Sequence, residues 1–344
     1  MLPFNFPKID LHLHLDGSFR TSTIFQLAQQ QNIQMPTTTL DEYEQYLQKC
    51  SHAKDVNDYL KMFDDPLKVM QDRDALIRIT SELIEDLAKQ HVRYAEIRFA
   101  PQLHTQKKLS QEEAIVAVLE GRKQALEKYS EIKIGIILCM MSLNSFDINQ
   151  QANWQTIDLC HKYLDKGVVA LDLAGCEGFF PLSHFKPFFT YAKQLHIPCT
   201  CHAGDSQPVQ TIYDALSFGV QRIGHGHHLI DDLELCQKIK KEKILLEICP
   251  TSNVQCQTVF SYQKHPLKKL YDLGIHVCVN TDNMTLAGVN LEDEYQHCMN
   301  EMGFTKKDII QMNIYAIEAA FIKKDEKNII LHDLLNALKE ENYA

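Results

Sequence analysis

A chain of 344 residues is long enough for one large α/β domain or two average ones, and length alone does not choose between them. With 45% apolar and 23% charged residues the balance is that of an ordinary globular protein, which excludes a disordered or fibrous chain. A formal charge of -10 without any Lys/Arg-rich block makes the average field repulsive to nucleic acid, so no nucleic-acid partner is expected.

The opening MLPFNFPKIDLH has no apolar signal-like core and reaches ionisable residues by His12, so no removable leader is expected. No apolar run has the length of a membrane span, which argues against a membrane partner. The 11 cysteines are scattered, as free packed thiols would be, and a cytoplasmic location follows as the expectation.

Eight short β-rich runs follow in chain order: KIDLHL from Lys8, VRYAEIRF from Val92, IKIGIILCM from Ile132, VVALDLAG from Val168, IPCTCHAG from Ile197, QRIGHG from Gln221, ILLEIC from Ile244 and IHVCVNTD from Ile275. Most are too continuously apolar for a half-exposed sheet and read as parallel strands covered by helices. Helical patterns lie between them. Asp74 to Gln90 puts Leu76, Ile79, Leu83 and Leu87 on one face, and Ser110 with Glu113 reads as a capping box. Strand then helix, eight times, predicts an α/β fold of the single (β/α)8 TIM-type barrel kind over residues 1–344. The connection from about residue 21 to 90 is far longer than the others and reads as a helical insertion on the catalytic face, a candidate lid.

In such a barrel the chemistry sits at the C-terminal ends of the strands. The first strand ends LHLHLDG, and strand alternation points His12 and His14 the same way. His202 ends the fifth strand, His225 the sixth, and Asp282 follows the eighth. A lone His-X-His in a strand is more often packing than a ligand. Here histidine and aspartate recur at later strand ends, a nitrogen and oxygen set appropriate to Zn2+. An open coordination position would bring the pKa of bound water toward ~7 and give a hydroxide nucleophile, with Asp282 as both ligand and proton acceptor. His225 remains as a spare base, while His227 and His228 read as loop residues. The cysteines of Pro198-Cys-Thr-Cys201 have the wrong spacing for a P-C-x-x-C zinc site. The fourth strand ends LDLAGCE, without the lysine that bridges two metals in some barrel hydrolases, so one metal is expected.

Taken in order, DLHLHLDGS, YAEIRFAP, DLAGCE, CHAGD, RIGHGHH, ICPTSN and NTDN resemble the adenosine deaminase family of metal-dependent amidohydrolases, from about Pro7 to about His297. The resemblance implies a (β/α)8 barrel with one zinc per chain that converts adenosine to inosine and ammonia, its partner a small purine nucleoside. It implies His12, His14, His202 and Asp282 as zinc ligands and His225 as the residue that orients the metal hydroxide. Asp16 falls where the family contacts the ribose 5′-hydroxyl, and Gly175 where a backbone N–H meets purine N3.

Three positions depart from the family pattern. Asp205 stands where the family usually has the glutamate that protonates purine N1, Asn283 where a second aspartate is common, and Cys176 where an acidic residue is common. Asp205 keeps the carboxyl but reaches roughly 1.3–1.5 Å less far, and misplacement on that scale can cost about 100-fold. Asn283 can still donate to purine N7 through its amide. The sequence assigns no role to Cys176. Two alternatives remain open: deamination of another 6-aminopurine, such as adenine or a 5′-modified nucleoside, and a catalytically degenerate purine-nucleoside-binding protein. An adenylate is less expected, since AMP deaminases carry long N-terminal regions.

Overall fold

The computed structural model describes residues 4–50, 53 and 56–343. Strands β1 (Lys8–His14), β2 (Val92–Phe99), β3 (Lys133–Ser142) and β4 (Val168–Gly175) pair in parallel in that order. The same holds for β5 (His202–Ala203), β6 (Arg222–His225), β7 (Leu245–Ile248) and β8 (Val277–Val279). Two seams close the halves into a barrel. The Leu171 amide donates to Pro198 O at 2.9 Å and the Thr200 amide to Leu171 O at 3.0 Å, which ties β4 to the approach to β5. At the other seam the His14 amide donates to Asp282 O at 2.7 Å and the Asp282 amide to His12 O at 2.8 Å.

All eight expected strands are therefore present in a (β/α)8 barrel. The fifth is shorter than its apolar run, because Pro198 brings no N–H to the ladder and only Cys199 bridges before His202. The helix Arg73–Lys89 buries Leu76, Ile79, Leu83 and Leu87, and its first turn is capped by Asp72, whose carboxylate accepts the Ala75 amide at 2.9 Å. The helix Gln111–Lys128 opens with the capping box of Ser110 and Glu113.

The helices Thr21–Gln30, Leu40–Cys50, Val56–Leu60 and Asp64–Val69 precede Arg73–Lys89 in the long first connection. Residues 51, 52, 54 and 55 of the candidate lid lie outside the described residues. Leu60, Phe63 and Leu67 from this connection line the same cavity as His14 and Asp16.

The barrel interior is not purely aliphatic. Arg98 Nη1 donates to Asp172 Oδ2 at 2.8 Å and its Nη2 to Glu247 Oε2 at 2.7 Å, while Arg222 Nε donates to Glu247 Oε1 at 2.6 Å and its Nη2 to Glu96. All five side chains are fully buried, so each charge is tolerable only because its partners are in place. The ten described unbridged cysteines are buried as well, consistent with packing. No helix among the described residues is long and apolar enough to cross a membrane.

Candidate functional site

Strand geometry brings the sequence-selected residues to one place. His12 and His14 project from β1, His202 from β5 and His225 from β6, and Asp282 lies just past β8. His14 Nε2 lies 3.4 Å and His12 Nε2 3.6 Å from Asp282 Oδ1, and the His12 ring is 4.5 Å from that of His202 and 4.8 Å from that of His225. Ligand atoms of His12, His14 and Asp282 fall within 4.8 Å of one another, as do those of His12, His202 and His225, and those of His225, Cys249 and Asp282. His225 and Asp282 hold φ of +58° and +56°, in the left-handed region. For such residues this costs about 1–3 kcal/mol each and persists only where the surroundings enforce it.

The donor set fits a metal ion. Glu247 Oε2 lies 2.9 Å from His12 Nδ1, and Asp172 Oδ2 3.1 Å from His202 Nδ1. A carboxylate at Nδ1 draws the imidazole proton there and leaves the Nε2 lone pair for a cation. His12 Nε2 is buried and has no hydrogen-bond partner among the described residues. Burial, joined by the Arg98 charge for His12 and by His202 for His14, holds both well below the usual histidine range, in the neutral form that ligates. Burial also works against a charge on His202, but the Asp172 carboxylate outweighs it and raises that imidazole.

Asp205 sits on a loop that turns at Gly204, where φ is +67° and an added Cβ would come within 2.6 Å of Ile212. The loop is gathered by one carboxylate. Glu177 Oε1 accepts the Gly204 amide at 2.7 Å, and Oε2 accepts those of Asp205, Ser206 and Gln207 at 3.0, 2.9 and 3.1 Å. Asp205 Oδ1 in turn accepts from Asn253 Nδ2 at 2.8 Å and Thr258 Oγ1 at 3.3 Å, and lies 3.7 Å from His225 Nδ1. Burial raises the Asp205 carboxyl above its usual range, against the opposing effects of His202, Thr258 and Asn253. Burial also pushes His225 down to about 4, so it is neutral.

Two adjoining cavities of about 260 and 340 Å³ open beside these groups and share Ser142, Ala174 and Gly175. His202 and Glu177 line the first; His14, Asp16, Asp64 and Cys176 line the second. Asp16 is buried, with Oδ1 unpartnered among the described residues, and burial pushes its carboxyl up to about 7. Gly175 has φ +99°, and a Cβ there would meet Ser142 O at 2.5 Å, so no side chain covers its backbone. Asn283 is buried against Gly17, and Cys176 packs with its Sγ toward Glu177 O.

Several residues at the site were not singled out from sequence. Glu177 and Asn253 lie inside the motifs DLAGCE and ICPTSN, but nothing in their spacing shows that one holds a loop and the other touches Asp205 and His225. The carboxylates Asp172 and Glu247 are charges at alternate positions of apolar strands, a signal that was present. His228 does pair at the surface, with Asp231 at 2.8 Å. His227 is instead buried in the turn His227–Asp231, 3.8 Å from Asp205 Oδ1.

Comparison with known proteins adds an independent line. A family model described as adenosine deaminase matches residues 7–337. The adenosine deaminase of Haemophilus ducreyi is 38% identical over 326 residues, spanning 94% of each chain. Among solved structures, arabidopsis ADAL complexed with IMP superposes with a TM-score of 0.84 at 27% identity, covering 97% of this chain and 98% of that one. An adenine deaminase from Arthrobacter aurescens superposes with a TM-score of 0.88 at 24% identity, covering 97% and 99%, which bears on the fold alone.

Proposed function

The chain belongs to the adenosine deaminase family of aminohydrolases acting on a cyclic amidine, and from that premise we propose that it hydrolyses adenosine to inosine and ammonia with one zinc per chain. The observation that carries this reading is the convergence of the imidazoles of His12, His14, His202 and His225 with Asp282 at the barrel mouth, with the protonatable Asp205 beside them. Held by His12, His14, His202 and Asp282, zinc would supply the Lewis acidity that brings the pKa of water toward ~7.

The protein's own groups do the rest. Asp205, whose carboxyl burial raises above its usual range, gives its proton to purine N1, which draws electron density from C6 and makes that carbon open to water. His225 orients the water at C6, and Asp282 takes the proton that it sheds. Asp282 returns that proton to the amino group, which leaves as ammonia, while the C6 hydroxyl becomes the carbonyl and its proton restores Asp205. Asn283 Nδ2 donates to N7, the Gly175 N–H to N3, and Asp16 accepts from the ribose 5′-hydroxyl.

The cavity lining favours a nucleoside over a nucleotide. Among the described residues neither cavity is lined by lysine or arginine, and the second carries Asp16 and Asp64. A 5′-phosphate would meet carboxylates without a compensating cation. The likeness to a protein complexed with IMP keeps a nucleotide as the second reading. Zinc-loaded protein assayed on adenosine, 2′-deoxyadenosine, adenine and AMP separates them, with turnover expected for the nucleosides at rates at least 100-fold above AMP. Faster turnover of AMP or adenine than of adenosine would overturn the assignment.

A further inference from the structure

Asn253 ends a chain of hydrogen bonds whose polarity is set far from the metal centre. The Leu267 amide, which can only donate, points at His265 Nδ1 at 3.0 Å. His265 Nδ1 is therefore an acceptor. Burial pushes this imidazole down to about 3, so it is neutral and carries its one proton on Nε2. His265 Nε2 lies 3.1 Å from Asn253 Oδ1 and donates to it. The amide of Asn253 cannot flip without setting two donors against each other, so its NH2 faces Asp205 Oδ1 at 2.8 Å and His225 Nδ1 at 3.1 Å.

From this geometry we propose that Asn253 is a positioning residue that fixes proton positions on Asp205 and His225 together. Because His225 Nδ1 accepts, His225 carries its proton on Nε2. It thus presents a donor to the mouth of the barrel, where His12, bonded at Nδ1 to Glu247, presents a lone pair. One cluster of imidazoles is thereby sorted into ligands and a non-ligand. Asp205 Oδ1 likewise accepts from Asn253 Nδ2, which favours the acid proton on Oδ2. Asn253 and His265 are both buried, which keeps water from substituting for either. The inference rests on the deaminase reading for its catalytic consequence, but not for the polarity of the chain itself.

The test is histidine-selective 15N NMR on the metal-free protein, which distinguishes Nε2–H from Nδ1–H tautomers without any turnover, paired with kinetics on adenosine after zinc loading. Wild type is expected to show His225 as Nε2–H. Asn253→Asp, nearly isosteric but an acceptor, is expected to switch His225 to Nδ1–H and lower kcat on the order of 100-fold with KM little changed. His265→Gln keeps a donor toward Asn253 and is expected to hold the wild-type tautomer and kcat within about tenfold. An Nδ1–H signal for His225 in wild type would overturn the proposal even if adenosine is consumed. So would an unswitched tautomer or an unchanged kcat in folded Asn253→Asp. Should the Asp variant not fold, the wild-type and His265→Gln tautomers decide. A wild type with Nε2–H but no turnover would instead overturn the functional reading and leave the hydrogen-bond polarity standing.

Discussion

Glu177 Oε2 accepts the backbone N–H of Asp205 at 3.0 Å, so one carboxylate fixes the main chain of the residue assigned as the acid. The same carboxylate holds the amides of Gly204, Ser206 and Gln207, and Thr211 Oγ1 donates to its Oε1 at 2.7 Å. Glu177→Ala removes the acceptor from the amides of Asp205, Ser206 and Gln207 at once, and one of the two acceptors of the Gly204 amide. It is expected to lower kcat by roughly 10- to 100-fold through displacement of Asp205, with the fold retained. Glu177→Gln keeps one carbonyl acceptor and should fall between. Steady-state kinetics with circular dichroism as the folding control checks both, and an unchanged kcat in Glu177→Ala would remove the positional role.

The pH dependence follows from the direction of the Asp205 shift. Burial raises its pKa, so the protonated form persists above the usual carboxylate range and is lost as pH rises through the raised value. An acid that must be protonated then makes kcat fall on the alkaline side. Asp205→Asn, which cannot give up a proton, should lose on the order of 100-fold or more and lose that alkaline limb. A limb that persists in the Asn variant belongs to another group.

Much of the site was legible because strand alternation and barrel topology send strand-end residues to a common mouth: His12, His14, His202, His225 and Asp282 needed only their places in the eight runs. What sequence could not give is which partner each side chain meets across the barrel. Glu247 is 235 positions from His12 yet bonds it at 2.9 Å, and Glu177 is 28 from Asp205 with no pattern linking them. His227 reads in sequence like its neighbour His228, but a one-residue step around a tight turn buries the first and leaves the second partly accessible. The shortened β5 reflects a local proline effect that its apolar composition concealed.

The carboxylate behind His12 sets a metal prediction. Glu247→Gln leaves a weaker and ambiguous partner at Nδ1 and is expected to weaken zinc binding 10- to 100-fold, read by competition with a chelating indicator. Zinc at about 100 times its Kd should stabilise the wild type by about 2.7 kcal/mol over the chelated protein. Equal zinc affinity in wild type and Glu247→Gln would contradict the orienting role.

Glu294 supplies a stability test separate from chemistry. It is fully buried in the helix Leu291–Met302; its Oε1 accepts the Thr251 amide at 3.0 Å, and Oε2 has no partner among the described residues. Burial pushes its carboxyl up to about 8, against the Thr251 bonds. A folded pKa above the unfolded one favours the fold at low pH, and that contribution is lost as pH rises from about 4.5 toward 8. Between pH 5 and 8, the metal-free wild type should therefore lose on the order of 1–3 kcal/mol more stability than Glu294→Gln, measured by urea unfolding. Parallel pH profiles would show that Glu294 does not titrate in this range.

The central claim is hydrolytic deamination of adenosine with Asp205 as the acid. Its most direct measurement compares wild type and Asp205→Ala, both carrying one zinc per chain, by following the ultraviolet change from adenosine to inosine. Wild type should turn adenosine over, and the Ala variant should retain at most about one hundredth of its kcat. Equal rates in the two, or no turnover by folded, zinc-replete wild type, would contradict the account.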